Sequence, residues 1–427
     1  MNESNLWKRT AGEELVVPVL DGSRETEIAV VGAGYTGLSA ALHLAERGRR
    51  VVVLEAGEIG EGASGRNGGQ VLPGLKQDPD MVERILGPGT GRRAVAFAGA
   101  APDFLFALVE RHRITCDARR SGWLQPAASA RHLPVLERRI AQWRARRVEL
   151  SLLSRGETAE RLGTDAYRGA LFDSRGGSLH PLRYARGLAR AAMRAGARLF
   201  RRSPVRGVHR TGDGWRLATP RGELRCGAVI CVTNAYGDPA AMGVGPCILP
   251  VWSVQVATDP QPPALRAGIL RDGICASDTR RFLSYFRLDP DGRFVIGGRG
   301  ATSARGRARA FAALRRRALA LFPELEPSWR FAWGGLVALT ENRLPQLVEP
   351  APGLLLAFGY NGRGVALATA IGRVLADRLC GAEEGDLPLP LLRRPRPWPL
   401  APWLRLQLPL ATGLAALLER GVAPRER

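Results

Sequence analysis

The stretch Ile28-Ala29-Val30-Val31-Gly32-Ala33-Gly34-Tyr35-Thr36-Gly37 decides the fold of this chain, because it joins an apolar run to a G-x-G-x-x-G turn. A helix-like segment follows from Leu38 to Arg47, and a second apolar run, Val51 to Leu54, ends at Glu55. A strand, a glycine-rich turn, a helix and a second strand that ends on an acid are the parts of a dinucleotide-binding βαβ unit, in the order that this unit requires. The sequence therefore predicts that the chain binds a nucleotide.

Each glycine of the turn has a separate task in such a unit. Gly32 permits the tight turn, Gly34 lets the backbone approach a pyrophosphate, and Gly37 lets the helix pack closely on the strand. The N-terminus of the helix supplies N–H donors and positive potential for the phosphates. Glu55 is placed to accept hydrogen bonds from the ribose hydroxyls, and its charge repels a 2′-phosphate. The pattern therefore favours FAD or NAD over NADP.

A second glycine-dense loop separates these two cofactors. It reads Gly60-Glu61-Gly62-Ala63-Ser64-Gly65-Arg66-Asn67-Gly68-Gly69-Gln70. NAD-dependent Rossmann enzymes usually continue directly into another helix at this point, whereas a loop that brings several backbone N–H groups against a flat heterocycle suits a flavin. Composition alone also allows a flexible surface loop here.

Together with Glu55, the GASGRNGG stretch 62–69 resembles that of the D-amino-acid oxidase superfamily of FAD enzymes. Within that superfamily, the order of GAGYTGLSAALHLAE, VLEA and GASGRNGGQ resembles the γ-glutamylputrescine oxidase-like branch. The resemblance extends from Leu6 to about Pro390, and its later motifs lie at residues 176–181, 228–235, 283–287, 294–298, 333–335, 340–345 and 359–364.

The resemblance implies an α/β plus α+β architecture. A Rossmann-type, glutathione-reductase-like FAD-binding domain would be interleaved with a substrate domain built on an antiparallel sheet. We expect an N-terminal arm at 1–26, the FAD-binding domain at 27–114, 178–245 and 330–392, the substrate domain at 115–177 and 246–329, and a Pro/Arg/Trp-rich tail at 393–427.

The motifs and the resemblance together predict which residues hold the FAD. They are Gly32, Gly34, Tyr35, Thr36, Gly37, Glu55, Ala56, Ala63, Ser64, Gly65, Arg66, Asn67, Gly68, Gly69, Gln70, Val205, Thr233, Asn234, Gly335, Gly359, Asn361, Gly362, Gly364 and Val365. A helix from about Val365 would direct its N-terminal dipole at the flavin, where N–H groups favour negative charge in the reduced ring. Some relatives bind the flavin covalently through histidine or cysteine. No histidine lies near Ser64, and Cys380 follows the last helix too late, so we expect FAD to be non-covalent.

The predicted chemistry is oxidation of the C–N bond of a small amine or amino acid, by hydride transfer from the α-carbon to flavin N5 and hydrolysis of the resulting imine. The predicted catalytic residues are Tyr285, Arg287, Trp333 and His180. Tyr285 and Arg287 share one strand face by period-2 alternation, and the pair would bind a carboxylate. A structural ion pair is the alternative role for Arg287. Lys76 is a further candidate, to promote oxygen reduction by its charge.

Composition excludes several other classes. The net charge of +22 is almost all arginine, scattered through the predicted helices instead of gathered on one face, so we expect no nucleic-acid partner. The six cysteines form no C-x-x-C pair, which argues against a redox dithiol, an iron–sulfur cluster or a metal site. The polar N-terminus has no secretory signal, so the expected location is the cytoplasm.

The tail leaves two readings open. It is either a strap on the surface of the protein or an interfacial anchor through Leu404 to Leu418, which would hold the enzyme at the periphery of the inner membrane. No second G-x-G-x-x-G follows a strand, so the predicted electron acceptor is O2 or a membrane quinone. The alternatives to an amine oxidase are a quinone-linked amino-acid dehydrogenase, a flavin enzyme that modifies tRNA, and a catalytically idle flavin-binding protein.

Overall fold

The computed structural model describes residues 3–212, 214–237, 247–301, 303–401 and 403. Within these residues the strands are β1 (Gly22–Val31), β2 (Val51–Leu54), β3 (Gln70–Val71), β4 (Trp123–Pro126), β5 (Ser151–Leu153), β6 (Ala170–Asp173), β7 (Gly177–Ser178), β8 (Arg198–Phe200), β9 (Gly207–Thr211), β10 (Gly214–Thr219), β11 (Gly222–Cys231), β12 (Leu249–Pro260), β13 (Cys275–Ser277), β14 (Tyr285–Leu288), β15 (Arg293–Arg299), β16 (Trp329–Leu339), β17 (Gln346–Ala351), β18 (Leu354–Phe358) and β19 (Leu391–Leu392). The α-helices are α1 (Leu6–Thr10), α2 (Tyr35–Ala45), α3 (Pro79–Leu86), α4 (Pro88–Arg111), α5 (Leu133–Arg144), α6 (Arg155–Leu162), α7 (Pro181–Arg194), α8 (Pro263–Gly268), α9 (Ala304–Leu321) and α10 (Gly364–Leu379).

The first sheet is the nucleotide-binding sheet, with strand order β19-β17-β18-β11-β1-β2-β8 and with β10 and β9 added beside β11. Strand β1 pairs in parallel with both β2 and β11, which explains why its last four residues form a continuous apolar run. Helix α2 follows β1 and packs against α10. A Cβ on Gly37 would lie 1.9 Å from the carbonyl oxygen of Gly32, so only glycine fits at the third position of the turn.

The second sheet has the order β16-β12-β15-β14-β13-β4-β6-β5 and is antiparallel except where β13 meets β4. Its strands alternate between two faces. On one face, Val254 and Phe286 belong to a buried cluster that also contains Phe311 of α9. On the other face, Ser253 and Tyr285 line a cavity. The strand predicted to carry Tyr285 and Arg287 is β14, which begins at Tyr285 and forms a hairpin with β15.

The position of β16 differs from the sequence-based division of the chain. The sequence predicts that residues 330–392 belong to the FAD-binding domain, whereas β16 pairs with β12 along ten positions of the second sheet. The apolar run at 331–339 is compatible with a strand of either sheet, and pattern alone does not select the partner. The chain enters the first sheet again with β17.

The regions predicted as the N-terminal arm and the C-terminal tail contain regular structure and buried side chains. Strand β1 begins at Gly22, inside the region assigned to the N-terminal arm, and the arm contains helix α1 with a fully buried Trp7. In the tail, Trp398 packs against Leu249. The proposed anchor at Leu404 to Leu418 lies outside the described residues. Among the described residues, no helix combines the length and the apolar character needed to cross a bilayer.

Candidate functional site

A cavity of about 890 Å³ is lined by residues of both sheets. Its first wall contains the carboxyl ends of β1 and β2, represented by Val31 and Leu54, and its second wall contains residues of β12, β14 and β16. Ligands of open α/β sheets bind at the carboxyl ends of the parallel strands, so the cavity lies where a dinucleotide is expected.

Glu55 forms the acidic corner of this cavity. Its Oε2 accepts a hydrogen bond from the backbone N–H of Ala33 at 2.7 Å, and its Oε1 accepts one from Gly57 at 2.9 Å. Burial raises the pKa of this carboxyl, while these backbone N–H groups act in the opposite direction. Because a carboxylate has about four acceptor positions, each oxygen keeps a lone pair for a ribose hydroxyl.

The N-terminus of α2 is joined directly to the second glycine-rich loop. The N–H of Tyr35 donates to Ser64 Oγ at 3.0 Å, and the Tyr35 hydroxyl donates to the Ser64 carbonyl at 2.6 Å. A Cβ on Gly34 would lie 2.9 Å from Ser64 Oγ, so this close approach depends on glycine. The first N–H groups of α2 therefore meet the cavity with only small groups around them, as phosphate binding requires.

A second helix N-terminus, that of α10, reaches the cavity through Gly362, Gly364 and Val365. Two asparagines with positive φ hold the preceding turn. Asn234 Oδ1 accepts a hydrogen bond from Gly359 N–H at 3.0 Å, and Asn361 Oδ1 accepts one from Thr340 N–H at 3.0 Å. The helix dipole of α10 thus faces the same space as that of α2.

Most of the predicted FAD-binding residues line the cavity. The exceptions are Gly37, Gly65, Gly69 and Gly359. These four glycines lie where a side chain would collide with other atoms, for example within 2.4 Å of the Gly60 carbonyl oxygen for Gly65 and 2.3 Å of Thr340 Cγ2 for Gly359. They shape the backbone behind the cavity.

The predicted catalytic residues separate into two groups. Tyr285 lines the cavity, and its hydroxyl lies 2.9 Å from Ser253 Oγ. Burial raises the pKa of this hydroxyl, so Tyr285 stays protonated. Arg287, Trp333 and His180 are buried and do not belong to the cavity lining.

Arg287 and Trp333 instead contact the back of the 63–70 loop. Arg287 Nε donates to the Gly68 carbonyl at 2.9 Å, and Trp333 Nε1 donates to the Arg66 carbonyl at 3.1 Å. His180 is the N-cap of α7, where its Nδ1 accepts a hydrogen bond from Arg183 N–H at 3.2 Å. Burial lowers the pKa of His180 to about 3, so the ring is neutral. These hydrogen bonds account for the buried positions of Arg287, Trp333 and His180. Neither an ion pair of Arg287 nor a contact with substrate is needed.

Sequence reasoning did not identify a group of cations at the cavity, here called the cationic rim. Its members are Lys76, Arg281, Arg299, Arg343 and Arg363. Burial, together with the charges of Arg363, Arg139 and Arg343, lowers the pKa of Lys76 to about 8. Burial also lowers the pKa of Arg299, with help from Arg281 and Arg343. The sequence gives no signal for the rim, because arginine is common throughout the chain.

Carboxylates of the described residues do not neutralise this rim. None of its five members forms an ion pair with a described Asp or Glu. The Asp278 carboxylate lines the cavity, but it pairs with Arg280 at 2.9 Å and lies 3.9 Å from Arg317. Arg363 has one hydrogen bond, to the Pro73 carbonyl at 3.1 Å, and its guanidinium lies 4.8 Å from the ring of Trp123.

The residues of the cavity suit FAD. A Cβ on Gly68 would lie 2.7 Å from the Tyr285 ring, and a Cβ on Gly335 would lie 3.0 Å from Arg66, so two walls of the cavity are kept open by glycine. Gln255 Oε1 is buried without a hydrogen-bond partner. Three features of the cavity match the parts of this cofactor. They are an acidic corner for a ribose, two helix N-termini for phosphate and ring oxygens, and a glycine-lined slot.

Comparison with known proteins agrees with this geometry. Residues 27–378 match the model of the DAO family, described as FAD-dependent oxidoreductases. The probable oxidoreductase OrdL of Haemophilus influenzae is 32% identical over 379 residues, which is 87% of this chain and 87% of that protein. Gamma-glutamylputrescine oxidoreductase of Escherichia coli K12 is 33% identical over 384 residues, which is 89% of this chain and 90% of that protein.

Solved structures show the same architecture. Glycine oxidase from Geobacillus kaustophilus superposes with a TM-score of 0.72 at 26% identity, over 84% of this chain and 95% of that chain. L-proline dehydrogenase from P. horikoshii superposes with a TM-score of 0.69 at 21% identity, over 86% of this chain and 96% of that chain, which supports the fold alone.

Substitution of Glu55 by glutamine tests the acidic corner. The amide has one acceptor oxygen instead of two and turns N–H groups toward backbone donors, so the charge-assisted hydrogen bonds to a ribose are lost. We expect the Kd of FAD to rise about tenfold to a hundredfold. Titration of the apo-protein with FAD measures this change.

Glu58→Gln is the matched control for this substitution. Glu58 pairs with Arg201 and Arg202 and does not line the cavity. Equal FAD affinity in Glu55→Gln and Glu58→Gln would contradict the assignment of Glu55.

Proposed function

Because the chain belongs to the DAO family of FAD-dependent oxidoreductases, we propose that it oxidises a C–N bond of a small amine or amino acid whose carboxylate is held at the cationic rim. The relatives named gamma-glutamylputrescine oxidoreductase and glycine oxidase support an amine or amino acid as the substrate. The site residues named below and the identity of the electron acceptor are part of the proposal.

The cationic rim is the observation that carries this proposal. Like charges that face one cavity without direct ion pairs repel each other, and the lowered pKa of Lys76 reflects burial and this repulsion. A substrate carboxylate relieves the repulsion and gains charge-assisted hydrogen bonds from guanidinium groups. A diamine without a carboxylate carries only positive charge, so the rim would repel it.

The chain's own residues supply binding and orientation. FAD, when bound, supplies the redox chemistry, since it accepts hydride from the carbon next to the amine nitrogen and leaves an imine for water to hydrolyse. The protonated Tyr285 hydroxyl and Ser253 offer a hydrogen-bonding pair on the substrate-facing wall. The rim would fix the far end of the substrate, so that the amine end points toward the slot lined by Gly68 and Gly335.

Molecular oxygen is the acceptor that we propose. The sequence has no second nucleotide-binding glycine motif after a strand, which leaves an acceptor other than NAD(P). Formation of one hydrogen peroxide per amine oxidised, measured with a peroxidase assay, supports oxygen. Turnover with quinone analogues and no peroxide would contradict this choice.

An anaerobic screen tests the proposed function as a whole. The flavin's visible absorbance is expected to disappear with amines that carry a carboxylate, such as γ-glutamyl diamines, N-methylglycine and amino acids. The corresponding free diamines should reduce the flavin about tenfold to a hundredfold more slowly, because they lack the charge-assisted bonds to the rim. Stopped-flow absorbance measures the rates. Faster reduction by free diamines than by their γ-glutamyl forms would overturn the proposal.

Substitution of Arg343 tests the rim residue by residue. Arg343 lines the cavity, and its charge lowers the pKa of both Lys76 and Arg299, so it acts on both of these rim members. We expect Arg343→Gln to raise KM for a carboxylated amine about tenfold and to change kcat little, because binding is lost in the ground and transition states alike.

Arg305→Gln is the control for this variant, since it removes one positive charge from the exposed start of α9. An unchanged KM in Arg343→Gln, or the same rise in Arg305→Gln, would count against a carboxylate site at the rim.

Lys76 predicts a pH dependence of anion binding. Its pKa of about 8 means that the ammonium is charged below pH 8 and neutral above it, while the rim arginines stay charged. We expect the inhibition constant of glutarate, a dicarboxylate without an amine that would itself titrate, to rise as pH increases through about 8. Steady-state inhibition between neutral and alkaline pH measures this effect.

Two variants identify Lys76 as the source of this titration. Lys76→Arg keeps the positive charge and should bind glutarate equally well on both sides of pH 8. Lys76→Met should bind it weakly at every pH. A wild-type inhibition constant that does not change with pH, or a pH dependence that persists in Lys76→Met, would assign the titration elsewhere.

A further inference from the structure

The back of the 63–70 loop is attached to the rest of the protein through its carbonyl oxygens. Trp7 Nε1 donates to the Asn67 carbonyl at 2.8 Å. Donors to the neighbouring carbonyls are Asn5 Nδ2 to Gly65 at 3.0 Å, Trp333 Nε1 to Arg66 at 3.1 Å, Gln255 Nε2 to Arg66, Arg287 Nε to Gly68 at 2.9 Å and Leu179 N–H to Gly69 at 2.8 Å. Every carbonyl from Gly65 to Gly69 thus has a donor behind it.

The orientation of these carbonyls determines where the N–H groups point. In a trans peptide the C=O and the following N–H lie in one plane and point in opposite directions. The Arg66 and Asn67 carbonyls accept from Trp333 and Trp7, which lie outside the cavity lining, and the Arg66 carbonyl also accepts from Gln255, which is part of the lining. The N–H of Gly68 therefore points away from Trp7, and the N–H of Asn67 points away from Trp333. Asn67 and Gly68 both line the cavity, and neither N–H has an acceptor among the described residues.

We propose that Trp7 and Trp333 are positioning residues for the cofactor, because their indole N–H groups fix the two peptide planes that aim the Asn67 and Gly68 N–H groups into the FAD cavity. Preorganised backbone donors of this kind bind a hydrogen-bond-accepting ring edge without reorganisation. The N-terminal arm is then part of the cofactor site, although it contributes no atom to the cavity lining.

The surroundings of Trp7 hold its indole in one orientation. Trp7 is fully buried, and its ring lies edge-on to Trp333 at 5.8 Å and to His180 at 5.1 Å. The Arg287 guanidinium lies 5.0 Å from the Trp7 ring. Because His180 Nδ1 accepts a hydrogen bond from Arg183 N–H, the neutral ring carries its proton on Nε2 and donates it to Thr10 Oγ1 at 3.0 Å. His180 therefore fixes the end of α1, which carries Trp7.

The test replaces each tryptophan by phenylalanine, which keeps an aromatic ring and removes the indole N–H. We expect Trp7→Phe to raise the Kd of FAD about tenfold, because the freed Asn67 carbonyl lets its peptide plane turn. Trp333→Phe should raise the Kd less, because the Arg66 carbonyl keeps Gln255 Nε2 as a donor. Both substitutions should shift the visible absorption bands of the bound flavin. FAD titration of the apo-protein and the flavin spectrum measure both effects without any substrate. Failure of the proposed function would leave both readouts unaffected.

Trp143→Phe is the matched control, since Trp143 is a buried indole on α5 that makes no hydrogen bond to the 63–70 loop among the described residues. The unfolding temperature of each apo-protein separates positioning from general destabilisation, and we expect it to fall by similar amounts in the three variants. Wild-type FAD affinity and spectrum in both Trp7→Phe and Trp333→Phe would overturn the proposal. The same change of affinity and spectrum in Trp143→Phe would overturn it as well.

Discussion

Close approach of backbone to backbone is the constraint on which the rest of the structure depends. Gly37 has no room for a Cβ beside the Gly32 carbonyl, and a Cβ on Gly372 of α10 would lie 2.5 Å from the Thr36 carbonyl oxygen. These two glycines bring α2 against the end of β1 and α10 against α2. As a result, the N-termini of both helices reach one cavity, and their dipoles add at the place where a pyrophosphate and a flavin ring need positive potential.

The positive charge of the chain acquires a function only through its placement. With 62 lysines and arginines against 40 acids, a surplus of cations is unavoidable. Elsewhere in the described residues, several carboxylates each pair with two arginines, as Glu58 does with Arg201 and Arg202. At the cavity, the five cations of the rim form no ion pair with a described carboxylate, and they face a space that a ligand can enter. Fixed charges in a cleft concentrate field there, which attracts anions and orients them.

Local patterns predicted the elements that local forces build. The glycine spacing around Gly34 favours a tight turn, and the period-2 alternation of Tyr285 and Arg287 favours a strand, so the sequence identifies both elements and most of the cavity-lining residues at the ends of β1 and β2. Pairing between distant segments is not coded in this way. Tertiary packing determines which strand pairs with β16 and whether Lys76 and Arg343 lie at the same cavity. An apolar run reads the same in either sheet, and an arginine reads the same at the cavity or elsewhere. For Arg287, the alternation predicts the strand face on which the side chain lies. It does not predict which atom accepts a hydrogen bond from the guanidinium.

The neighbouring positions Tyr285 and Arg287 show how the two sheets are coupled. Both side chains leave the same face of β14 and meet the same residue, Gly68, since Tyr285 packs against its α-carbon side and Arg287 binds its carbonyl. The Arg66 carbonyl likewise accepts from β16 through Trp333. The loop that belongs to the first sheet by sequence is therefore oriented by donors from the second. A relative movement of the sheets would break these hydrogen bonds and leave buried carbonyls unpaired, at a cost of about 1–3 kcal/mol each. The two walls of the cavity consequently keep one spacing, and the transfer of hydride proposed above requires such a fixed spacing between the groups that react.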